Sequence, residues 1–127
     1  MIKKSFSIRK QLRSFKYAFR GIYLLLRKEH NAWVHSATAL IVISLAILFK
    51  LNTIEWSLIV FAIGIVFAAE AFNTSIEKLV DMVSPEHRKK AGKIKDLAAG
   101  AVLFCALAAA AIGLLVFLPK IIHYFSN

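Results

Sequence analysis

The sequence predicts an all-α integral membrane protein, with one amphipathic helix on the bilayer surface followed by three spanning helices. Three observations carry that expectation. The chain has 127 residues, 59% of them hydrophobic, with a mean hydropathy of +0.66, above the ordinary soluble range. Three apolar segments, about 32–51, 54–72 and 97–118, approach the roughly 20 residues that a spanning helix needs. The 17 Lys and Arg outnumber the 7 Asp and Glu, and fifteen of those 17 fall in two blocks on one side of the spans. A soluble helical bundle would need polar outer faces, which segments this apolar do not supply. With only two prolines and no Ser/Gly-rich linker, residues 1–127 are taken as a single membrane-embedded domain.

The surface helix is expected at about 8–28. Ile8, Leu12, Phe15, Phe19, Ile22, Tyr23 and Leu26 recur at spacings of three and four, while Arg9, Lys10, Arg13, Lys16 and Arg20 occupy the opposite face. That pattern suits a helix lying on an anionic membrane surface. No long apolar core and no small-residue cleavage site marks a signal peptide in the first thirty residues.

The first two spans form a hairpin about Asn52-Thr53, read as a tight turn. Ser84-Pro85 stops the extended second helix, because proline disfavours helix at the residue before it. A basic loop, Glu86 to Lys95, leads into the third span. Nine basic residues precede residue 29, and Lys78, Arg88, Lys89, Lys90, Lys93 and Lys95 lie between the second and third spans. The positive-inside rule makes that side cytoplasmic, with the N-terminus inside. Trp33 and Trp56 fall near span ends, where indoles anchor. Anionic headgroups account for the basic residues more simply than nucleic acid does. The lone Cys105 cannot form an intrachain disulfide.

Function is suggested by "EAFNTSIEKLVD", residues 70–81. At about 100° per residue, Glu70, Asn73, Thr74, Glu77 and Asp81 form one stripe about 16 Å long. Phe72, Ile76, Leu79 and Val80 take the other side, so the stripe is expected to face something other than lipid. Glu70 sits among Ala68, Ala69, Ala71 and Phe72, and an ionisable group at such depth is a functional candidate by default. An apolar setting makes a carboxylate a better proton acceptor near neutral pH.

Glu29 lies 24 residues before Thr53 and Glu77 lies 24 after it. If both helices run straight, the two carboxylates share one depth and repel unless a cation joins them. Mg²⁺ typically takes one or two carboxylates and fills its shell with water and phosphates. Lys95-Asp96 returns to the same level, with Arg88, Lys89, Lys90 and Lys93 beside it. A proton acceptor, a metal clamp and nearby cations suit phosphoryl transfer from ATP to the hydroxyl of a membrane lipid, a reaction governed by alignment and charge neutralisation. Neither a Walker A loop nor a kinase glycine-rich loop occurs.

The runs "SFKYAFRGI", "KEHNAWVH", "EAFNTSIEKLVD" and "KIKDLAAGAV" resemble the small integral-membrane lipid kinases of bacteria, the diacylglycerol kinase / undecaprenol kinase family. The resemblance covers most of the chain in family order. It implies a homotrimer of a surface helix plus three spans, with MgATP as donor. It implies Glu70 as the base on the lipid hydroxyl, with Ala99 also at the lipid. Asn73 and Asp81 support the site, and Glu29 and Glu77 are metal and nucleotide ligands. Lys10, Tyr17, Glu86, Lys95 and Asp96 fall at the nucleotide, and His87 and Arg88, which differ from the better-known diacylglycerol kinases, are carried over as phosphate neighbours. Lys10 stands where the better-known diacylglycerol kinases have Arg, which keeps the charge but loses the fork. "FNTSIEKLVDMVSPE" and "DLAAGAV" look like the Gram-positive branch, which favours undecaprenol over diacylglycerol.

The residues admit two other classes. A proton channel or transporter would use Glu70 as its gate, but the third span is mostly Ala, Leu, Val and Ile. A non-catalytic adaptor would use the small residues Ala98 to Ala101 and Ala108 to Ala111 for helix packing. Those residues favour oligomerisation under every reading.

Overall fold

The structure is a computed structural model that describes residues 7–86 and 88–126. Its described residues form four helices and no strand: α1 (Ile8–Lys28), α2 (His30–Leu48), α3 (Thr53–Val83) and α4 (Lys89–Ser126). Three of them, α2, α3 and α4, are long and apolar enough to cross a membrane.

The amphipathic segment is helical over the expected range. On α1, Ile8, Leu12, Phe15, Phe19 and Ile22 are each more than half exposed, and only Leu25 is buried. An apolar stripe left open on a basic helix is what an interfacial helix presents to a bilayer. Glu29 breaks the helix by taking extended backbone, while its N–H still donates to Leu25 O at 3.2 Å. The Trp33 indole N–H then donates to Leu26 O at 2.6 Å, which ties the start of α2 back onto the last turn of α1. Along α2 the hydroxyls of Ser36, Thr38 and Ser44 donate to the carbonyls of Ala32, Val34 and Leu40, four residues back. That local bonding lets polar side chains sit in a spanning helix without an unmet donor.

The α2–α3 turn is longer than the expected Asn52-Thr53 pair. It runs over residues 49–52, with Lys50 at φ 50 and Leu51 N–H donating to Ala46 O at 3.1 Å. Thr53 already belongs to α3. Asn52 caps that helix in a reciprocal box: its Oδ1 accepts from Glu55 N–H at 3.0 Å and Glu55 Oε2 accepts from Asn52 N–H at 2.8 Å. Lys120 on α4 closes on the same Glu55 oxygen at 3.0 Å. The core at this hairpin end is built from Ala46, Leu51, Ile59, Val116 and Phe117.

All three spanning helices differ from the apolar segments that announce them. α2 starts two residues before the expected 32 and stops at Leu48 rather than 51, because the left-handed Lys50 ends it. α3 continues past 72 to Val83, where Ser84 N–H closes the last turn on Val80 O. Its 31 residues span about 46 Å, more than the roughly 30 Å hydrocarbon layer. The polar stripe, 70–81, therefore lies at the end of the apolar segment and on the helical extension that follows it.

The expected basic loop of 86–95 is mostly helix, since α4 begins at Lys89. Lys residues are good helix formers and only Gly92 weakens the run. Pro119 lies inside α4, which continues to Ser126. α3 and α4 pack along each other most extensively, with α2 against α3.

Candidate active site

The stripe on α3 is oriented inward. Glu70 is 2% exposed, Asn73 5% and Thr74 9%, whereas Phe72 on the opposite face is 72% exposed. Exposure rises towards the open end of the bundle, through half-buried Glu77 to exposed Asp81. The gradient follows from geometry. Residues deep in the packed stretch of α3 meet both α2 and α4, whereas Asp81 near the end of α3 meets Lys95 of α4 and remains exposed.

Two interactions bind the stripe to its neighbours at the open end. Lys78 Nζ donates to Glu29 Oε1 at 2.5 Å, joining the α1–α2 junction to α3. Lys95 Nζ, on the second turn of α4, pairs with Asp81 Oδ1 at 2.5 Å. Within α3, Asn73 Nδ2 donates to Glu77 Oε1 at 3.0 Å. The structure thus brings Glu29 beside the residue that follows Glu77, the level at which the mirrored spacing about Thr53 puts them.

Glu70 is the outlier. Its Oε2 is buried with no hydrogen bond, as is Asn73 Oδ1. An unmet buried polar atom costs about 1–3 kcal/mol, more when charged. His35 Nε2 on α2 lies 4.0 Å from Glu70 Oε2. His35 and Phe67, in turn, help line an apolar cavity of about 210 Å³ between α2, α3 and α4. Thr38, Val42, Ala62 and Val66 form one wall of it, and Ala106, Ala109 and Gly113 of α4 form the other.

The remaining expected site residues are less gathered. Lys10 and Tyr17 are exposed on α1, and neither side chain makes a hydrogen bond or ion pair among the described residues. Glu86 accepts from Arg88 at 3.2 Å in the short α3–α4 connection. Asp96 and Ala99 are exposed on α4, flanking the buried Ala98. His87 lies outside the described residues.

Sequence reasoning passed over His35 and Lys78. His35 was legible by the hairpin rule that pairs Glu29 with Glu77. It lies 18 residues before Thr53, and the mirrored position is Ala71, next to Glu70. Lys78 was counted only as charge, and its bond to Glu29 depends on how α2 is rotated against α3.

Fold and site together define a small helical membrane protein with an acidic site buried at one end of its bundle and an apolar cavity behind it. The family profile described as prokaryotic diacylglycerol kinase matches residues 16–117, and the chain belongs to that family. It is therefore a lipid kinase.

Among named relatives, it is 43% identical to an undecaprenol kinase of Bacillus subtilis over 86% of this chain and 89% of that one. It is 34% identical to a diacylglycerol kinase of Synechocystis, over 86% of this chain and 63% of the relative. It is 29% identical to a diacylglycerol kinase of Helicobacter pylori, over 77% of this chain and 82% of that protein.

Proposed function

We propose that the chain transfers the γ-phosphoryl group of ATP to the hydroxyl of undecaprenol, giving undecaprenyl phosphate and ADP, with diacylglycerol as the alternative acceptor. The preference for undecaprenol rests on the similarity to the Bacillus subtilis enzyme. The observation that carries the site assignment is Glu70, a carboxylate buried without a hydrogen bond beside an apolar cavity. A lipid alcohol with its chain in hydrocarbon brings its hydroxyl to such a place.

Glu70 removes the hydroxyl proton as the alkoxide oxygen forms its bond to the γ-phosphorus. The bond from that phosphorus to the β–γ bridging oxygen breaks, and ADP leaves with the bonding pair. Asn73 holds Glu77 through its amide, and Asp81 positions Lys95. Lys95, Asp96, Tyr17, Lys10 and Glu86 are assigned to the nucleotide on the strength of the family motif, and His87 and Arg88, where this chain departs from the better-known branch, are assigned as phosphate neighbours.

Glu29 and Glu77, with the unbonded Asn73 Oδ1 close by, supply hard oxygen donors of the kind Mg²⁺ accepts, and Glu29 already attracts a cation in Lys78. These residues would hold the ion, which when bound neutralises phosphate charge during transfer. Lys10 and Tyr17 stand apart from the α3 stripe on the exposed face of α1. In the proposed homotrimer, a site could draw α1 residues from a neighbouring copy. Residues 1–127 act as one unit in the bacterial cytoplasmic membrane, with the N-terminus and the Glu29–Asp81 end facing the cytosol, as the basic residues favour.

The test is phosphorylation of undecaprenol and diacylglycerol side by side, with ATP and Mg²⁺ in matched detergent micelles. Faster phosphate incorporation into undecaprenol is expected. Preference for diacylglycerol overturns the acceptor assignment, and incorporation into neither overturns the function.

A further inference from the structure

We propose that His35 is a positioning residue for Glu70: neutral, with its proton on Nε2, the imidazole donates to Glu70 Oε2 and holds the carboxylate towards the lipid hydroxyl. The inference rests on the proposed role of Glu70 as the base.

Three observations point the same way. Glu70 Oε2 is buried and unbonded on a side chain 2% exposed, and His35 Nε2 lies 4.0 Å away across the α2–α3 contact. That separation is about 1 Å beyond a hydrogen bond, within reach of a modest side-chain rotation. His35 is itself held in place, with its ring edge-on to Phe67 at 6.4 Å and 72°. It also lines the apolar cavity, so it stands between that cavity and the carboxylate.

The physical need is specific. A carboxylate that accepts a proton along one direction must not swing freely, and a buried one needs a donor to offset lost hydration. The Asn73 amide nitrogen is directed at Glu77, 3.0 Å away, and makes no hydrogen bond to Glu70 Oε2. Lys78 points to Glu29 and Lys95 to Asp81, both towards the open end of the bundle. His35 is the donor facing Glu70 from the neighbouring helix. A donor on one carboxylate oxygen leaves the other to receive the lipid proton.

The test combines kinetics with a spectroscopic readout that needs no turnover. His35→Leu is expected to lower kcat about 10- to 100-fold, the cost of a lost charge-assisted hydrogen bond. KM for ATP should stay within about twofold, since His35 lines the apolar cavity and not the polar end. His35→Gln, whose side-chain amide reaches a position near Nε2, should recover most of the loss. In ¹⁵N-histidine NMR of the full chain in micelles, the His35 signal, assigned by its disappearance in His35→Gln, should show Nε2 protonated and should shift in Glu70→Ala.

Wild-type kcat in His35→Leu overturns the proposal, as does a Gln variant no better than Leu. A His35 spectrum indifferent to Glu70→Ala also overturns it. An inactive wild type would instead count against the lipid kinase reading, and the spectra would still decide the His35–Glu70 contact.

Discussion

Replacing Glu70 by glutamine separates chemistry from folding. The exchange keeps the shape of a side chain that is 2% exposed and removes its ability to accept a proton. General-base assistance contributes about 100- to 10,000-fold to rate, roughly 3–5 kcal/mol of transition-state stabilisation. The structure predicts an opposite sign for stability. Glu70 Oε2 has no hydrogen bond, and a neutral amide is cheaper to bury than a carboxylate. Glu70→Gln should therefore lose at least about 100-fold in kcat while its Tm in detergent micelles stays at or above wild type. The assay is transfer of labelled γ-phosphate from ATP to undecaprenol, alongside thermal unfolding of the same preparations. Near wild-type turnover would refute Glu70 as the base. A sharp fall in Tm would refute the claim that its burial is a cost accepted for function.

Other perturbations probe the remaining parts of the site and the fold. Glu29→Ala or Glu77→Ala should raise the Mg²⁺ needed for half-maximal rate by about tenfold or more, as read from a metal titration at saturating ATP. Ala109→Phe should fill the cavity between α2, α3 and α4 and raise KM for the lipid while leaving KM for ATP unchanged, because Ala109 lines that cavity and not the polar end. Asn52→Ala should lower unfolding stability by about 0.5–2 kcal/mol, the usual cost of losing an N-cap. It should leave turnover intact, since Asn52 lies about 27 Å along α3 from Glu70.

Much of the architecture was legible because its causes are local. The α1 stripe follows from spacings of three and four, and the spans follow from length and hydropathy. The inward face of α3 follows from placing Glu70, Asn73, Glu77 and Asp81 at about 100° per residue. The helix ends were less legible. Hydropathy marks where a chain is apolar, whereas a helix continues as long as its backbone bonds are met. That is why α3 runs to Val83 and α4 starts at Lys89, and why the expected basic loop is mostly helix.

By itself, the sequence determined a surface helix, three spanning segments, the face of α3 that carries acids, and the kinship that makes this chain a lipid kinase. Tertiary structure decided the partners: Lys78 on Glu29, Lys95 on Asp81, His35 facing Glu70, and the cavity behind them. Periodicity states which residues share a face of one helix. Which side chains meet across two helices depends on their relative rotation and depth, set by packing between residues far apart in the chain.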